Sequence, residues 1–235
     1  MFGLHQVLQT LRRTTPNRCL LCQYPVTSAL PLCHPCQLEL PWLNTHCQHC
    51  SLPLGTQGIC GECLHSPPPW RQCIAAFEYT APVKQLIIQY KQSANLAAGR
   101  TLAHLLAKAV QLNAEPPLPQ LLLPVPMHWR GQLARGFNQS YDLARMLSTQ
   151  LGIAASCRHL RKRHHTQTQH TLPRKQRQRN LHGQFEIRKS VSGKRIALID
   201  DVMTTGSTAR AIAGLLVKEG AEQVDIWCVA RTPKI

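Results

Sequence analysis

Four consecutive apolar residues, Ile196 to Ile199, run between a basic residue and a pair of acids near the C-terminal end of the chain. A short, continuous apolar run with polar ends predicts a strand buried on both faces. Asp200 and Asp201 follow, then Val202-Met203, then the small, hydroxyl-rich turn Thr204-Thr205-Gly206-Ser207-Thr208, and then a helix-like segment from Ala209 to Glu219. A strand, two acids, a small-residue turn and a helix describe one unit of a parallel α/β sheet. Its acids would lie at the C-terminal edge, where such sheets bind ligands. Backbone N–H groups of the turn, with a helix N-terminus behind them, can be aimed at an anion.

The same reading extends to the rest of the chain. Ile74 to Tyr79 predicts a strand, and Pro82 fits the first turn of a helix carrying Leu86, Ile87 and Tyr90. A second helix is expected from about Asn95 to Leu112, and Asn113 to Pro119 is a loop. Leu121 to Pro126 predicts a strand that two prolines keep short. A helix from Ser140 to Gln150 and strands at Phe185–Ile187 and Gln223–Val229 complete the pattern, the last strand holding Asp225, Trp227 and Cys228. At the N-terminus Phe2, Leu4, Val7, Leu8 and Leu11 suit a short amphipathic docking helix within residues 1–18. Ser66-Pro67-Pro68-Pro69-Trp70 interrupts the chain as a semi-rigid extended linker over 66–73, with Trp70 available to pack one part on the other. A module at 19–65 and an α/β domain at 74–235 are expected on either side.

The chain has 235 residues, 43% of them hydrophobic, enough for one sizeable core and a small appended module. No apolar run approaches the ~20 residues of a membrane span, and Arg12 and Arg13 follow the first apolar residues rather than precede them. That is not a secretory layout, so a cytoplasmic protein is expected. With 27 Lys and Arg against 11 acids the net charge is +16, which favours polyanionic partners without naming one. The charge is unevenly spread: no acid occurs between Leu143 and Phe185, where nine Lys or Arg are found.

Eight of the eleven cysteines form four Cys-x-x-Cys pairs: Cys19/Cys22, Cys33/Cys36, Cys47/Cys50 and Cys60/Cys63. Each such turn converges two thiolates on one tetrahedral ion, so four turns make two structural zinc sites. Sequential pairing gives two consecutive ribbons and is favoured; a cross-braced pairing of first with third and second with fourth has compatible spacing. A dithiol redox module is the weaker alternative, since it needs one exposed pair beside a βαβ unit. His34, His46, His49 and His65 lie close by and read as bystanders to eight thiolates. Few large apolar residues accompany these cysteines, so zinc removal is expected to unfold residues 19–63 and to spare most of the later core. Cys73, Cys157 and Cys228 lack such partners and read as buried structural thiols.

Two further segments bear on chemistry. Met127 to Ser140 holds Arg130, Arg135, Asn138, Gln139 and two glycines directly after a strand end. Arginines suit bidentate phosphate contacts, so the loop fits diphosphate or a nucleotide as well as it fits a solvated basic cap on the next helix. Cys157 to Asn180 interleaves basic residues with His and amides and has few large apolar groups, which predicts an exposed, mobile segment. Such a lid would neutralise a departing diphosphate or contact a nucleic-acid backbone. Aromatics for base stacking are nearly absent from it.

The run of hydrophobics, two acids, two apolar residues and Thr-Thr-Gly-Ser-Thr resembles the phosphoribosyl-diphosphate (PRPP) motif of the type I phosphoribosyltransferases. That resemblance implies a parallel sheet flanked by helices. It also implies Asp200 and Asp201 on the ribose 2′- and 3′-hydroxyls, and Thr204, Thr205, Gly206, Ser207 and Thr208 around the 5′-phosphate, with Mg²⁺ accompanying PRPP. Arg135-Gly136-Phe137-Asn138-Gln139-Ser140, the PRPP motif and an N-terminal Cys-x-x-Cys module together resemble the ComF/GntX family of competence and DNA-utilisation proteins. Tyr79-Thr80-Ala81-Pro82 with Lys91 beyond it, Thr166 to Leu172 and Arg177 to Leu181 are similar to that family too. The likeness runs from Cys19 to Arg231. It makes Lys91, Arg130, Arg135, Asn138, Gln139, Thr166, Gln169, Arg177, Arg179 and Asn180 candidates for the diphosphate and the lid.

Two functions follow from the resemblance. One is a PRPP-binding protein linked to DNA uptake in natural transformation or to use of DNA as a nutrient, binding single-stranded DNA and partners in the uptake machinery. The other is an active phosphoribosyltransferase that passes ribose 5-phosphate to an acceptor with release of diphosphate. No pocket for a base or amine acceptor and no catalytic residue can be identified from the residues alone.

Overall fold

The computed structural model describes residues 17–127, 136–163 and 183–234. The chain separates into two compact units, one ending at Leu40 and the other running from Pro41 to Ile235. The smaller contains the antiparallel pair β1 (Asn17–Arg18) and β2 (Pro25–Val26) and the one-turn helix α1 (His34–Leu38). Its Cys19, Val26, Leu32, Cys36 and Leu40 are buried.

The larger unit begins with residues around Cys47 and Cys50 and the short helix α2 (Gly61–His65), and then enters the sheet at β3 (Gln72–Glu78). Helices α3 (Val83–Ser93) and α4 (Leu96–Asn113) follow, the second capped by Asn95, whose side chain accepts from the N–H groups of Ala97 and Ala98 at 3.1 Å. Then come β4 (Leu121–Pro124), α5 (Gln139–Leu151), β5 (Ala154–Ala155), the hairpin strands β6 (Leu160–Lys162) and β7 (Phe185–Ile187), β8 (Arg195–Met203), α6 (Ser207–Lys218) and β9 (Gln223–Arg231).

Five strands form one parallel sheet in the order β3-β9-β8-β4-β5. The connection from β4 through α5 leads to β5 on one side, and that from β8 through α6 leads to β9 on the other. The order therefore reverses between β4 and β8, the position where an open α/β sheet forms its ligand crevice. Pairing sharpens this. β4 accompanies β8 only as far as Pro124 opposite Ile199, whereas β9 follows it to Arg231 opposite Met203. Pro124 and Pro126 lack the N–H groups that would prolong the ladder. Beyond Ile199, the β4 side of β8 is open. The strand is thus longer than its apolar run predicted, because pairing with β9 carries it through both acids.

Side-chain alternation sorts the two faces. Ile196 and Leu198 of β8 join Val224, Ile226 and Cys228 of β9 in one buried cluster with Ile212, Ala213 and Leu216 of α6. Ala197 and Ile199 are fully buried outside that cluster, and α5 lies against β4 and β8 while packing on α4. The α6-side cluster also holds Cys47, Cys50, Leu52, Cys60 and Cys63. The second ribbon thus shares its core with the sheet. This narrows the expectation that metal loss would spare the later core to the cysteines before Leu40. The Pro-rich stretch is held in place as well: Arg210 of α6 donates to the carbonyls of Ser66 and Pro67 at 3.1 and 3.0 Å and lies over the Trp70 ring.

Two expectations are corrected. Residues 160–162 are not part of an open segment: they pair with Phe185–Ile187, Leu160 is buried and Lys162 lies over the Phe185 ring. Cys157 is exposed, whereas Cys73 and Cys228 are buried as expected. Asp225, inside the last strand, is fully buried and is held bidentately by Arg71 at 2.8 and 3.1 Å.

Two helical glycines make a test of the packing. A Cβ at Gly99 of α4 would clash with Cε2 of the buried Tyr90 ring, while one at Gly214 of α6 would meet nothing within 4 Å. Gly99→Ala is expected to destabilise by about 1–3 kcal/mol through overpacking. Gly214→Ala is expected to stabilise by about 0.5–1 kcal/mol through backbone entropy. Urea unfolding of both variants checks the signs; a stabilising Gly99→Ala would contradict this packing.

Candidate functional site

The open edge of β8 presents the two acids. Each carboxylate accepts the next backbone N–H, Asp201 N to Asp200 Oδ1 at 2.9 Å and Val202 N to Asp201 Oδ1 at 2.6 Å, which fixes their orientation. Ser140 Oγ, at the start of α5, donates to Asp200 Oδ1 at 3.1 Å. Lys91 Nζ, near the end of α3, pairs with Asp201 Oδ2 at 2.8 Å. Burial, and then the neighbouring Asp201 charge, push Asp200 up to about 7, against the lowering effect of its hydrogen bonds and of Lys91. A carboxylate whose charge is disfavoured by burial, beside one paired with a lysine, is equipped to receive hydroxyl donors or a cation.

The α5 end of the crevice is anchored by Asn138, whose side chain accepts from Tyr141 N and donates to Val125 O, each at 3.3 Å. It thereby ties the helix start to the end of β4. Gln139 is 1% exposed, and its side-chain amide has no hydrogen-bond partner among the described residues. Tyr90 O–H, buried beneath, donates to Asp142 Oδ2 at 2.9 Å, and its ring lies 5.4 Å from that of Phe137.

On the other side lies the turn into α6. Gly206 has φ +74°, a left-handed conformation that side chains other than glycine rarely adopt, and it is the N-cap of α6. Thr205 Oγ1 and Ser207 Oγ are hydrogen-bonded at 2.7 Å, and Arg210 N donates to Gly206 O at 2.8 Å. The backbone N–H groups of Thr204, Thr205 and Gly206 donate to no described residue. Thr204 and Thr205 are exposed. With α6 behind it, the turn offers unpaired donors and a positive dipole end to an anion.

Of the sequence candidates, the structure brings Asp200, Asp201 and Lys91 into one contact network and sets Asn138 and Gln139 at the start of the helix that supplies Ser140. Arg130, Arg135, Thr166, Gln169, Arg177, Arg179 and Asn180 lie outside the described residues, as does the basic segment beyond Arg163 and the N-terminal stretch before Asn17. Ser140 and Tyr90 were not singled out from sequence. Ser140 closes the Arg135–Ser140 motif, which was the available signal, whereas Tyr90 reads only as one more apolar position of a helix.

The cysteines settle into two groups of four, Cys19/Cys22/Cys33/Cys36 and Cys47/Cys50/Cys60/Cys63, with the sulfurs in each group all within 4.8 Å of one another. This is the sequential pairing. Sγ···Sγ distances of 3.6 Å for Cys22–Cys33 and 3.7 Å for Cys50–Cys60 match the edge of about 3.8 Å of a tetrahedron with ~2.3 Å zinc–sulfur bonds. Neither group includes a histidine. Burial pushes the Cys50 thiol up to about 12, which disfavours a thiolate at that position without a cation beside it. Cys60 N donates to Cys47 Sγ at 3.3 Å, a contact that suits a metal-bound thiolate. The residues fit structural zinc at both sites.

Fold and site together define a phosphoribosyltransferase domain joined to two zinc ribbons. Residues 10–64 match the family described as Double zinc ribbon domain, and residues 132–234 match the Phosphoribosyl transferase domain. The chain is 36% identical over 224 residues to DNA utilization protein YhgH of Salmonella typhi, covering 93% of this chain and 99% of that protein. It is also 36% identical over 225 residues to the Escherichia coli K12 protein of that name, with 93% and 99% covered. It is 35% identical over 222 residues to Competence protein F of Haemophilus influenzae, with 91% and 96% covered. The chain belongs to the family of these DNA utilization and competence proteins. Among the described residues no helix is long and apolar enough to cross a membrane.

The raised Asp200 carboxyl gives a pH test on the ligand-free protein. Its folded pKa of about 7 lies above the ordinary 3.8, so the folded state binds more protons in between. The wild type therefore loses stability relative to Asp200→Asn as pH rises from about 4 to about 7, and the difference levels off above. Denaturant titrations of both proteins from pH 4 to pH 8 check this; a pH-independent difference would contradict the burial of the Asp200 charge.

Proposed function

We propose that the crevice binds PRPP with Mg²⁺ and that the protein uses this phosphoribosyl-binding domain in handling single-stranded DNA. The observation that carries the first half is that the Asp200–Asp201 pair lies on the open edge of β8, directly ahead of a turn whose Thr204, Thr205 and Gly206 N–H groups donate to no described residue. Carboxylates accept from vicinal ribose hydroxyls, and the turn with the Thr205, Ser207 and Thr208 hydroxyls receives the 5′-phosphate. In this reading Mg²⁺ neutralises the diphosphate. Lys91 pairs with Asp201 before the ligand arrives and is placed to turn to an anionic ligand afterwards.

The DNA half rests on the relatives and on charge. The names of the similar proteins refer to DNA utilisation and competence. On the β6–β7 hairpin Arg161, Arg163, Arg188 and Lys189 are exposed. Glu186, the only acid between Leu143 and Ile199, is shared between Arg163 and Arg188 at 2.9 Å each. Such a surface attracts a phosphate backbone without reading its sequence. Transfer of ribose 5-phosphate to an acceptor is the competing function for the same crevice, and it differs by releasing diphosphate from labelled PRPP when an acceptor is supplied.

Two measurements test the proposal. Removing both carboxylates in Asp200→Ala/Asp201→Ala deletes charge-assisted hydrogen bonds of ~1.5–3 kcal/mol each, so Mg-PRPP affinity by calorimetry is expected to fall at least about a hundredfold. Unchanged affinity would remove the site assignment. Binding of an oligo-dT strand is expected to weaken steeply with salt, log K falling against log salt with a slope of about −0.7 for each phosphate contacted. A flat salt response would remove the DNA-backbone reading.

A further inference from the structure

Arg231 closes β9 and is only 5% exposed, yet no carboxylate pairs with it among the described residues. Among the described residues its Nε and Nη1 donate to carbonyls alone. Nε donates to Cys50 O at 3.1 Å; Nη1 donates to Met203 O at 2.9 Å, to Thr204 O, and to Thr232 O at 3.1 Å. Cys50 belongs to the second cysteine group. Met203 and Thr204 begin the turn that offers its N–H groups to the anion. One side chain therefore spans the metal centre and the phosphate turn.

Its surroundings reinforce the link. A small cavity is walled by Cys50, Cys60 and Cys63 on one side and by Met203, Thr205 and Gly206 on the other, with Arg231 in its lining. Trp70 Nε1 donates to His49 O at 2.7 Å, and a Cβ on Gly206 would come within 4.0 Å of the same ring. Met203 O receives a second donor, Thr232 N, at 3.1 Å. With their carbonyls drawn toward the ribbon, Met203 and Thr204 fix the direction in which the turn's next amides point. Four thiolates around Zn²⁺ carry a net charge of −2, which compensates a buried guanidinium that lacks an acid of its own.

We propose that the second zinc centre is a working part of the phosphoribosyl site, and that Arg231 is the positioning residue that couples them. The coupling rests on the reading of the crevice as a PRPP site and adds to it. Zinc at Cys47/Cys50/Cys60/Cys63 holds the Cys50 carbonyl, Arg231 relays that position to Met203 and Thr204, and the turn is preset for phosphate. By linkage the influence is reciprocal: ligand in the turn perturbs the metal centre.

The test uses the full chain loaded with ¹¹³Cd in place of zinc, with Mg-PRPP as the probe, followed by ¹¹³Cd NMR and calorimetry. Cys22→Ser, which alters only the first cysteine group, assigns the two resonances. Mg-PRPP is expected to move the second-centre resonance in the wild type. Arg231→Lys keeps the charge but cannot span four carbonyls. It is expected to hold two metal ions and to melt as one transition, to bind Mg-PRPP at least tenfold more weakly, and to leave the second-centre resonance unmoved by ligand. If the wild type binds Mg-PRPP with no change at the second centre, or if Arg231→Lys binds as the wild type does, the coupling is overturned and the crevice reading stands. If the wild type does not bind Mg-PRPP, the crevice reading itself fails and the coupling fails with it.

Discussion

The unequal pairing of β8 is the constraint on which the site depends. A central strand of a parallel sheet normally has every N–H and C=O engaged on both sides and offers a ligand nothing. Here prolines at 124 and 126 end the ladder on the β4 side at Ile199, while β9 keeps the other edge paired as far as Met203. The strand therefore stays rigid through Asp200 and Asp201 while one edge opens. The reversal of strand order between β4 and β8 sets the starts of α5 and α6 beside the C-terminal end of β8, where Ser140 donates to Asp200 and the turn's Thr204, Thr205 and Gly206 N–H groups donate to no described residue.

Much of this was legible in the sequence because it depends on local chemistry. An apolar run that stops at two acids, and a turn whose glycine must adopt positive φ, report themselves in the order of residues. The Cys-x-x-Cys turns did so too. Which turns would share an ion was legible only as a preference: spacing permits both pairings, and the folded path brings Cys19/Cys22 to Cys33/Cys36, the favoured sequential one. The extent of β8 was also hidden. Asp200 to Met203 belong to the strand because β9 pairs with them, a long-range fact that overrides the polar signal of the acids. Leu160 to Lys162 were missed for a similar reason: a basic stretch becomes a strand only when Phe185–Ile187 is beside it.

Least legible was the role of charge across distance. Arg231 is an ordinary strand-end arginine by sequence, and Cys50 an ordinary zinc ligand; that one donates to the carbonyl of the other across a sequence separation of 181 follows from the fold between them. The same holds for Lys91 and Asp201. These two cations act in opposite ways: Lys91 compensates an acid of the crevice directly, whereas Arg231 braces the turn from behind. The second ribbon is thereby tied to the phosphoribosyltransferase domain by its core, by Trp70 and by a guanidinium.

Hydrogen exchange on the zinc-loaded protein, with and without Mg-PRPP, addresses the central claim most directly, because it reads the amides that are argued to hold the phosphate. The account predicts that ligand slows exchange at Thr204, Thr205 and Gly206, with added protection around Cys50, and that EDTA stripping of the metal abolishes the effect at the turn. Binding of Mg-PRPP with unchanged exchange at Thr204 to Gly206 would contradict it.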